Sequence, residues 1–273
     1  MTLNDGNTIP QLGFGVFRVE TVEAERVVAD AIAVGYRHID TAAIYDNEEG
    51  VGRGLRASGV PREELFITTK LWNTDHGDTR PFSAIDASLE RLGLDYVDLY
   101  LVHWPAPPQG LYLHTWQAME HIRESGKAIS IGVSNFVEPY LQEIVDLGGL
   151  FPAVNQIEVH PSFRQEELQS LSRSLGIAVE AWSPLAGGAI EADEGDMGSL
   201  IERTGKSWAQ LVLRWHLDAG RIVIPKSTHR ERMIANLDVF DFELDDDAVA
   251  TIEKIEHPGR RGGDPHTFIA RRN

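Results

Sequence analysis

The sequence predicts a (β/α)8 barrel, the TIM-barrel class of α/β fold, with an N-terminal β-hairpin and a short C-terminal tail. Three observations carry this expectation. The chain has 273 residues, close to the about 250 that one such barrel needs. Eight short apolar runs recur along it. Amphipathic helical patterns separate those runs, and such alternation builds parallel βαβ units. Residues 1–273 are therefore expected to form one barrel domain.

The elements follow in order. Residues 3–9 hold Asp5-Gly6, a turn signal between two short strands that reads as a hairpin. Barrel strands are then expected at 11–17, 38–40, 65–70, 96–104, 130–134, 153–158, 178–182 and 221–225. Ala24, Val27, Val28, Ala31 and Ile32 recur with helical spacing, as do Phe82, Ile85, Leu89 and Leu92. Trp208, Leu211, Val212 and Trp215 form a third stripe, opened by Ser207 and Gln210 in capping-box spacing. An open doubly wound sheet is the alternative architecture. Its fingerprint is missing: Gly13-Phe14-Gly15-Val16-Phe17-Arg18 lacks the third glycine and no helix starts promptly after it. There is no P-loop, no HExxH and no GxSxG pattern.

Composition narrows the function classes. The chain has no cysteine, which removes disulfides, thiolate metal sites and cysteine nucleophiles. No basic, apolar leader opens the chain and no long apolar run crosses it, so a cytoplasmic protein without a membrane span is expected. The formal net charge of −17 repels nucleic acid and anionic lipid, so the expected partner is a small molecule. An anionic cofactor would need a local basic patch.

A (β/α)8 barrel carries its active site at the C-terminal ends of its strands. Asp40, Lys70 and His103 stand at three consecutive predicted ends, and Tyr45 lies just after Asp40. Tyrosine titrates near about 10, too high for easy proton exchange at neutral pH, and a nearby ammonium is expected to lower that value. A carboxylate would keep the lysine charged and oriented, and an imidazole would hydrogen-bond a carbonyl. The set offers a general acid, a tuning cation, an orienting anion and a carbonyl-positioning group, which suits carbonyl reduction given a hydride donor. Singly, each has a plain structural reading: a strand-end turn or cap for Asp40, loop packing for Tyr45, a solvated terminus for Lys70, a core histidine for His103. A metal reading of Asp40 and His103 lacks a third ligand.

Four segments bear a resemblance to the aldo-keto reductase family. They are the run from Gly35 to Tyr45 (GYRHIDTAAIY), Leu99 to Pro105 (LYLVHWP), Ile131 to Phe136 (IGVSNF) and Ile224-Pro225-Lys226-Ser227. Within that family the chain is similar to the bacterial 2,5-diketo-D-gluconic acid reductases, through Ala181-Trp182-Ser183-Pro184-Leu185, Arg230 to Met233 and Asn236 to Phe240. The resemblance implies NADPH/NADP+ as cofactor and a small carbonyl as substrate, with 2,5-diketo-D-gluconate or a related keto-sugar among the expected ones. It implies Tyr45 as proton donor, Lys70 and Asp40 as its tuning pair, and His103 as the carbonyl-orienting group. Ser134, Asn135 and Gln156 would hold the nicotinamide carboxamide, and Trp182 would stack on its ring. Ser183, Leu185 and Gly187 would line the pyrophosphate. Lys226, Ser227, Thr228 and Arg232 would hold the 2′-phosphate end, helped by Arg230, with Asn236 near adenine. Phe17, Trp72, His103 and Trp104 would wall the substrate pocket. Most relatives are monomers, so a monomer is expected.

Some of these residues read otherwise without the resemblance. Composition alone puts Trp182 in the core, while Ser134-Asn135 has an alternative reading as a helix cap and the basic cluster one as a solvated helix start. Two departures stand out. Ala235 occupies a place where many relatives have an adenine-contacting Glu, and Trp182 stands where a tyrosine is common. The acidic segment 189–198 reads as a cofactor flap or a solvated loop. In relatives the tail borders the pocket. The competing functions are a non-catalytic NADPH-binding barrel and a metal-assisted hydrolase or isomerase.

Overall fold

The computed structural model describes residues 1–189 and 195–269. Eight strands form one sheet: β1 (Phe14–Gly15), β2 (His38–Asp40), β3 (Phe66–Leu71), β4 (Val97–Val102), β5 (Ala128–Ser134), β6 (Val154–Glu158), β7 (Ala178–Trp182) and β8 (Ile222–Val223). Neighbours in the sheet are neighbours in sequence, and every pair is parallel. The ring closes between its first and last members. Leu12 bridges Val223 in parallel. Gly13 N donates to Val223 O at 2.8 Å, Val223 N to Gln11 O at 2.9 Å and Gly15 N to Pro225 O at 3.1 Å. The chain is a TIM barrel, as its alternating pattern predicts. The residues expected as a long first strand serve largely in this seam, which leaves β1 short.

The glycines of that segment serve packing. A Cβ on Gly13 would meet the His38 ring at 2.5 Å, and one on Gly15 would meet Ile224 O at 3.1 Å. Absence of side chains lets β1 close against its neighbours.

Helices surround the sheet: α1 (Thr21–Val34), α2 (Glu48–Ala57), α3 (Arg80–Leu92), α4 (Tyr112–Glu124), α5 (Glu138–Asp146), α6 (Glu166–Ser174), α7 (Gly195–Thr204), α8 (Trp208–Asp218), α9 (Arg230–Leu237) and α10 (Asp246–Glu253). All five stripe residues of α1 are buried. In α3 the buried row is Pro81, Ile85, Ser88, Leu89 and Leu92. Phe82 falls beside that row, in the first turn, and is 37% exposed. Both halves of the capping box between Ser207 and Gln210 form at the start of α8, satisfying two amide donors that would otherwise lack partners.

The opening hairpin is reduced to one antiparallel bridge, Thr2 to Thr8, around a turn at Asp5-Gly6. Its Leu3 and Ile9 plug the barrel floor, packing with Phe66, Leu99, Leu101, Val154 and Ile222. Of the acidic segment 189–198, residues 190–194 lie outside the described residues and 195–198 open α7, where Asp196 pairs with Lys254 at 3.1 Å.

Candidate active site

Alternation along the strands sets what faces the interior. In a pleated strand every second residue shares a face. Ile39, Ile67, Val179 and Ala181 belong to the large core between sheet and helices. The alternate residues are His38 and Asp40 on β2, Thr68 and Lys70 on β3, Gln156 and Glu158 on β6, and Glu180 and Trp182 on β7. Register places Thr68 opposite Asp40, Gln156 opposite Glu180 and Glu158 opposite Trp182. The interior therefore changes from an apolar floor to an ionisable upper layer.

Asp40 and Lys70 meet in that layer. Lys70 Nζ donates to Asp40 Oδ1 at 2.6 Å, Asp40 Oδ2 at 2.7 Å and Thr41 O at 2.9 Å. Both side chains are buried. Burial works against the ammonium, but the charges of Asp40 and Tyr45 reverse the balance and hold Lys70 above its ordinary pKa. Burial raises Asp40 against the pull of Lys70.

Tyr45 ends a short 3-10 turn (Ala43–Tyr45) closed by Tyr45 N donating to Ala42 O at 3.0 Å. Lys70 Nζ lies 5.1 Å from its ring centre. The His103 ring lies 5.7 Å away, edge to face. The loop is tied down by Asn47, whose Oδ1 accepts from Thr41 Oγ1 at 2.8 Å and whose Nδ2 donates to Val16 O and Val19 O at 2.9 and 3.0 Å. Contrary to the expectation from sequence, the Tyr45 phenol is raised: burial outweighs the lowering pull of Lys70, and Asp40 and Glu180 add to the rise. The phenol keeps its proton at neutral pH. His103 is held well below the ordinary histidine value by burial, then by the charges of Lys70 and His76, so it is neutral. Its Nδ1 is buried without a hydrogen-bond partner among the described residues.

The residues expected at the nicotinamide also converge. Asn135 has a left-handed backbone (φ 63°), and its Nδ2 donates to His103 O and Ser134 Oγ, both at 3.0 Å. Its Oδ1 accepts from Trp182 Nε1 at 2.9 Å. Ser134 Oγ donates to Gln156 O at 2.9 Å. Gln156 Nε2 donates to Asp40 Oδ2 and to Glu180 Oε2, each at 2.8 Å. After β7, Ser183, Ala186, Gly187 and Gly188 all have positive φ, making a tight turn with Gly187 exposed, and Leu185 lies half-buried within it. Lys226 and Arg232 are exposed, Ser227 and Asn236 are buried, and Thr228 lies between. Arg230 does not join the basic cluster freely, since it pairs with Asp30 at 3.3 Å.

The expected pocket wall is joined by a residue that sequence reasoning missed. Phe17 is 53% exposed, its ring 5.0 Å from Tyr45. Trp72 stands 5.1 Å from His103. Phe268 of the tail stacks on Trp104 at 4.0 Å and meets Trp72 edge-on at 6.3 Å. The tail is anchored by Glu158, whose carboxylate accepts from Arg261 N at 2.6 Å and Gly262 N at 2.8 Å, and by His266 Nδ1 against Tyr140 OH at 2.9 Å. Gly262 lies so close to the Trp182 ring that any Cβ there would collide with it.

A barrel whose strand ends gather a buried lysine–carboxylate pair, a tyrosine and a neutral histidine defines a class of enzyme-like sites, and the comparisons give that class its family. The model of the Aldo/keto reductase family matches residues 11–257. The chain belongs to this family. It is 50% identical over 268 residues to an aldo-keto reductase of Mycolicibacterium smegmatis, covering 98% of this chain and 97% of the relative. It is 48% identical over 267 residues to the methylglyoxal reductase DkgA of Escherichia coli, covering 97% and 96%. Among solved structures it is similar to a Gox0644 variant in complex with NADPH, with TM-score 0.93 and 43% identity, covering 99% of this chain and 98% of that one.

Proposed function

We propose that this protein is an NADPH-dependent oxidoreductase that reduces aldehydes, ketones and dicarbonyls to alcohols, with Tyr45 as proton donor. The observation that carries the reading is the placement of a protonated tyrosine beside the buried Lys70–Asp40 pair and the neutral His103, at one rim of the barrel.

The donor set fits the cofactor. Lys226 and Arg232 are exposed and make no ion pair among the described residues. In a chain of net charge −17, two idle cations beside one strand end suit the 2′-phosphate of NADPH, where an arginine can bind two oxygens at once. Ser227, Thr228 and Asn236 would complete that end, and the left-handed turn with Ser183, Leu185 and Gly187 would face the pyrophosphate. Trp182 would stack on the nicotinamide, with Ser134, Asn135 and Gln156 holding its carboxamide. Because the Asn135 amide already bonds to protein groups through both its atoms, binding there exchanges one set of hydrogen bonds for another, whereas Gln156 would keep its Nε2 bonds to Asp40 and Glu180 and meet the carboxamide through Oε1.

Bound NADPH supplies hydride to the carbonyl carbon. The chain's own residues do the rest. Neutral His103 hydrogen-bonds the carbonyl oxygen and fixes its direction. Tyr45 OH gives its proton to that oxygen as negative charge develops there. The Lys70 ammonium stabilises the phenolate left behind, and Asp40 keeps that ammonium charged and in place. Phe17, Trp72, Trp104 and Phe268 form an apolar wall that excludes water and holds small substrates loosely.

The similarity to DkgA-type methylglyoxal reductases supports small dicarbonyls as substrates, and the diketogluconate-type motifs add 2,5-diketo-D-gluconate. The test is NADPH oxidation measured with methylglyoxal and with 2,5-diketo-D-gluconate side by side. Turnover of methylglyoxal is expected. NADPH binding without turnover of any carbonyl would leave a non-catalytic binder. Turnover of methylglyoxal but not of diketogluconate would remove the sugar-acid assignment alone.

A further inference from the structure

We infer that Glu180 is a positioning residue of this reduction: protonated inside the barrel and joined through Gln156 to Asp40, it keeps the Lys70 charge available to Tyr45. The inference rests on the reductase reading and extends it to a carboxyl group two residues before Trp182, on the same face of β7.

The geometry poses a donor-counting problem. Glu180 is fully buried. Its Oε2 accepts from Gln156 Nε2 at 2.8 Å. The other proton on that nitrogen goes to Asp40 Oδ2, also at 2.8 Å. One amide thus bridges two carboxyl groups. The single nearby ammonium has three protons, and Lys70 directs them to Asp40 Oδ1, Asp40 Oδ2 and Thr41 O. Glu180 Oε1 has no hydrogen-bond partner among the described residues. The nearest ring nitrogen is His38 Nε2 at 3.6 Å, which itself lies 3.1 Å from Thr68 Oγ1. An ionised carboxylate so buried, with one hydrogen bond and no cation of its own, carries a desolvation cost that the site does not offset. The neutral acid removes that cost and leaves Lys70–Asp40 beside it as a balanced ion pair.

The charged and titratable groups around Glu180 are His38 and Asp40 on β2, Lys70 on β3 and Tyr45 on the loop after β2. Gln156 on β6 is uncharged, and Ile222 on β8 lies opposite in register. Burial pushes His38 down to about 3, so it stays neutral across the neutral and alkaline range. Burial, then the charge of Asp40, pushes Glu180 up to about 8. Above that pH a second negative charge sits beside Asp40. It competes for Lys70 and raises Tyr45 further, because Glu180 is among the charges that hold the phenol proton on. A weaker acid transfers its proton more slowly. Neutral Glu180 is thus a condition for a working Tyr45.

The experiment compares wild type with Glu180→Gln, which keeps a neutral acceptor for Gln156. The wild-type kcat/KM for NADPH-dependent methylglyoxal reduction is expected to decline as pH rises through about 8. In Glu180→Gln that inflection disappears and the decline begins only with the titration of Tyr45 itself, whose phenol burial raises. The ratio of variant to wild-type rate therefore climbs by up to about tenfold per pH unit between them. A second readout needs no turnover: ultraviolet titration of the Tyr45 phenolate, taken as the difference from Tyr45→Phe. It should shift to lower pH in Glu180→Gln, where the neighbouring negative charge is gone. Infrared spectra of the wild-type protein provide a third, with a buried carboxylic acid band present at neutral pH and lost through the same inflection. An unmoved alkaline inflection, an unmoved phenolate titration or a missing acid band overturns the role of Glu180. Failure to turn over any carbonyl sinks the reductase reading instead, and the two titrations still decide whether Glu180 is neutral and coupled to Tyr45.

Discussion

On the proposed reading, Lys226 and Arg232 carry the choice between two cofactors that differ by one phosphate. Both side chains project into solvent, while Arg230 two residues before Arg232 is engaged by Asp30. Replacing Lys226 and Arg232 with neutral residues should therefore weaken NADPH far more than NADH. Each lost charged contact costs roughly 1.5–3 kcal/mol, about ten- to hundredfold in affinity. Titrations of both cofactors against the double variant check this; an equal loss for the two would show that these cations do not read the phosphate. At the same scale, the phenol of Tyr45 shows how a sign can be misjudged from neighbours alone. Lys70 pulls its pKa down as sequence reasoning expects, yet burial pulls harder in the other direction. A buried proton donor keeps its proton until a charge develops to receive it.

The loop between β2 and α2 shows what an element must do to hold Tyr45 in place. Asn47 is the residue flanking the start of α2, where a side-chain cap would be ordinary, but it makes no such cap. Its amide instead joins Thr41, Val16 and Val19. Asn47→Ala should leave buried carbonyls and a hydroxyl without partners, costing about 1–3 kcal/mol, and should lower kcat by misplacing Tyr45. Unfolding midpoints and turnover measured together test this, and a variant with unchanged kcat would remove the positioning role. Strands were legible because short apolar runs and strand-end ionisable residues coincide: 178–182 was bounded by sequence as the structure has it. The alternation within those runs held an unused signal. Glu180 precedes Trp182 by two, as His38 precedes Asp40 and Thr68 precedes Lys70, so each shares the inward face of a residue already singled out. Asn47 gave a weaker signal, because an Asn before a helix reads as a cap. Phe268 gave none, since the tail has no period and its place on Trp104 follows from the anchoring of Arg261 and Gly262 by Glu158.

Several buried groups, His38, His76 and Glu180 among them, are held uncharged, and that shapes the stability of the whole molecule. Burial holds His38 near 3 and His76 near 4, below the ordinary 6.5. The unfolded chain binds more protons on these histidines, so their stabilisation is present above about 6.5 and is lost as pH falls through the folded values. Glu180 acts in the opposite sense, with a folded value near 8 against an ordinary 4.5. Its contribution is full below 4.5 and is lost as pH rises through about 8. Between 4.5 and 6.5 the two effects oppose each other; from 6.5 to about 8 the glutamic acid acts without that opposition. Wild-type stability should fall across that window with a slope approaching 1.4 kcal/mol per pH unit, and Glu180→Gln should flatten it. Urea midpoints at several pH values check the slope, and equal slopes in the two proteins would argue against a buried neutral acid.

The central claim is that this barrel end reduces carbonyls with Tyr45 as acid, and one comparison tests it most directly: kcat for NADPH-dependent methylglyoxal reduction by wild type and by Tyr45→Phe, with NADPH affinity measured on both. The account predicts a fall on the order of 10²-fold or more in kcat with NADPH affinity retained. Turnover by Tyr45→Phe near the wild-type rate would contradict it.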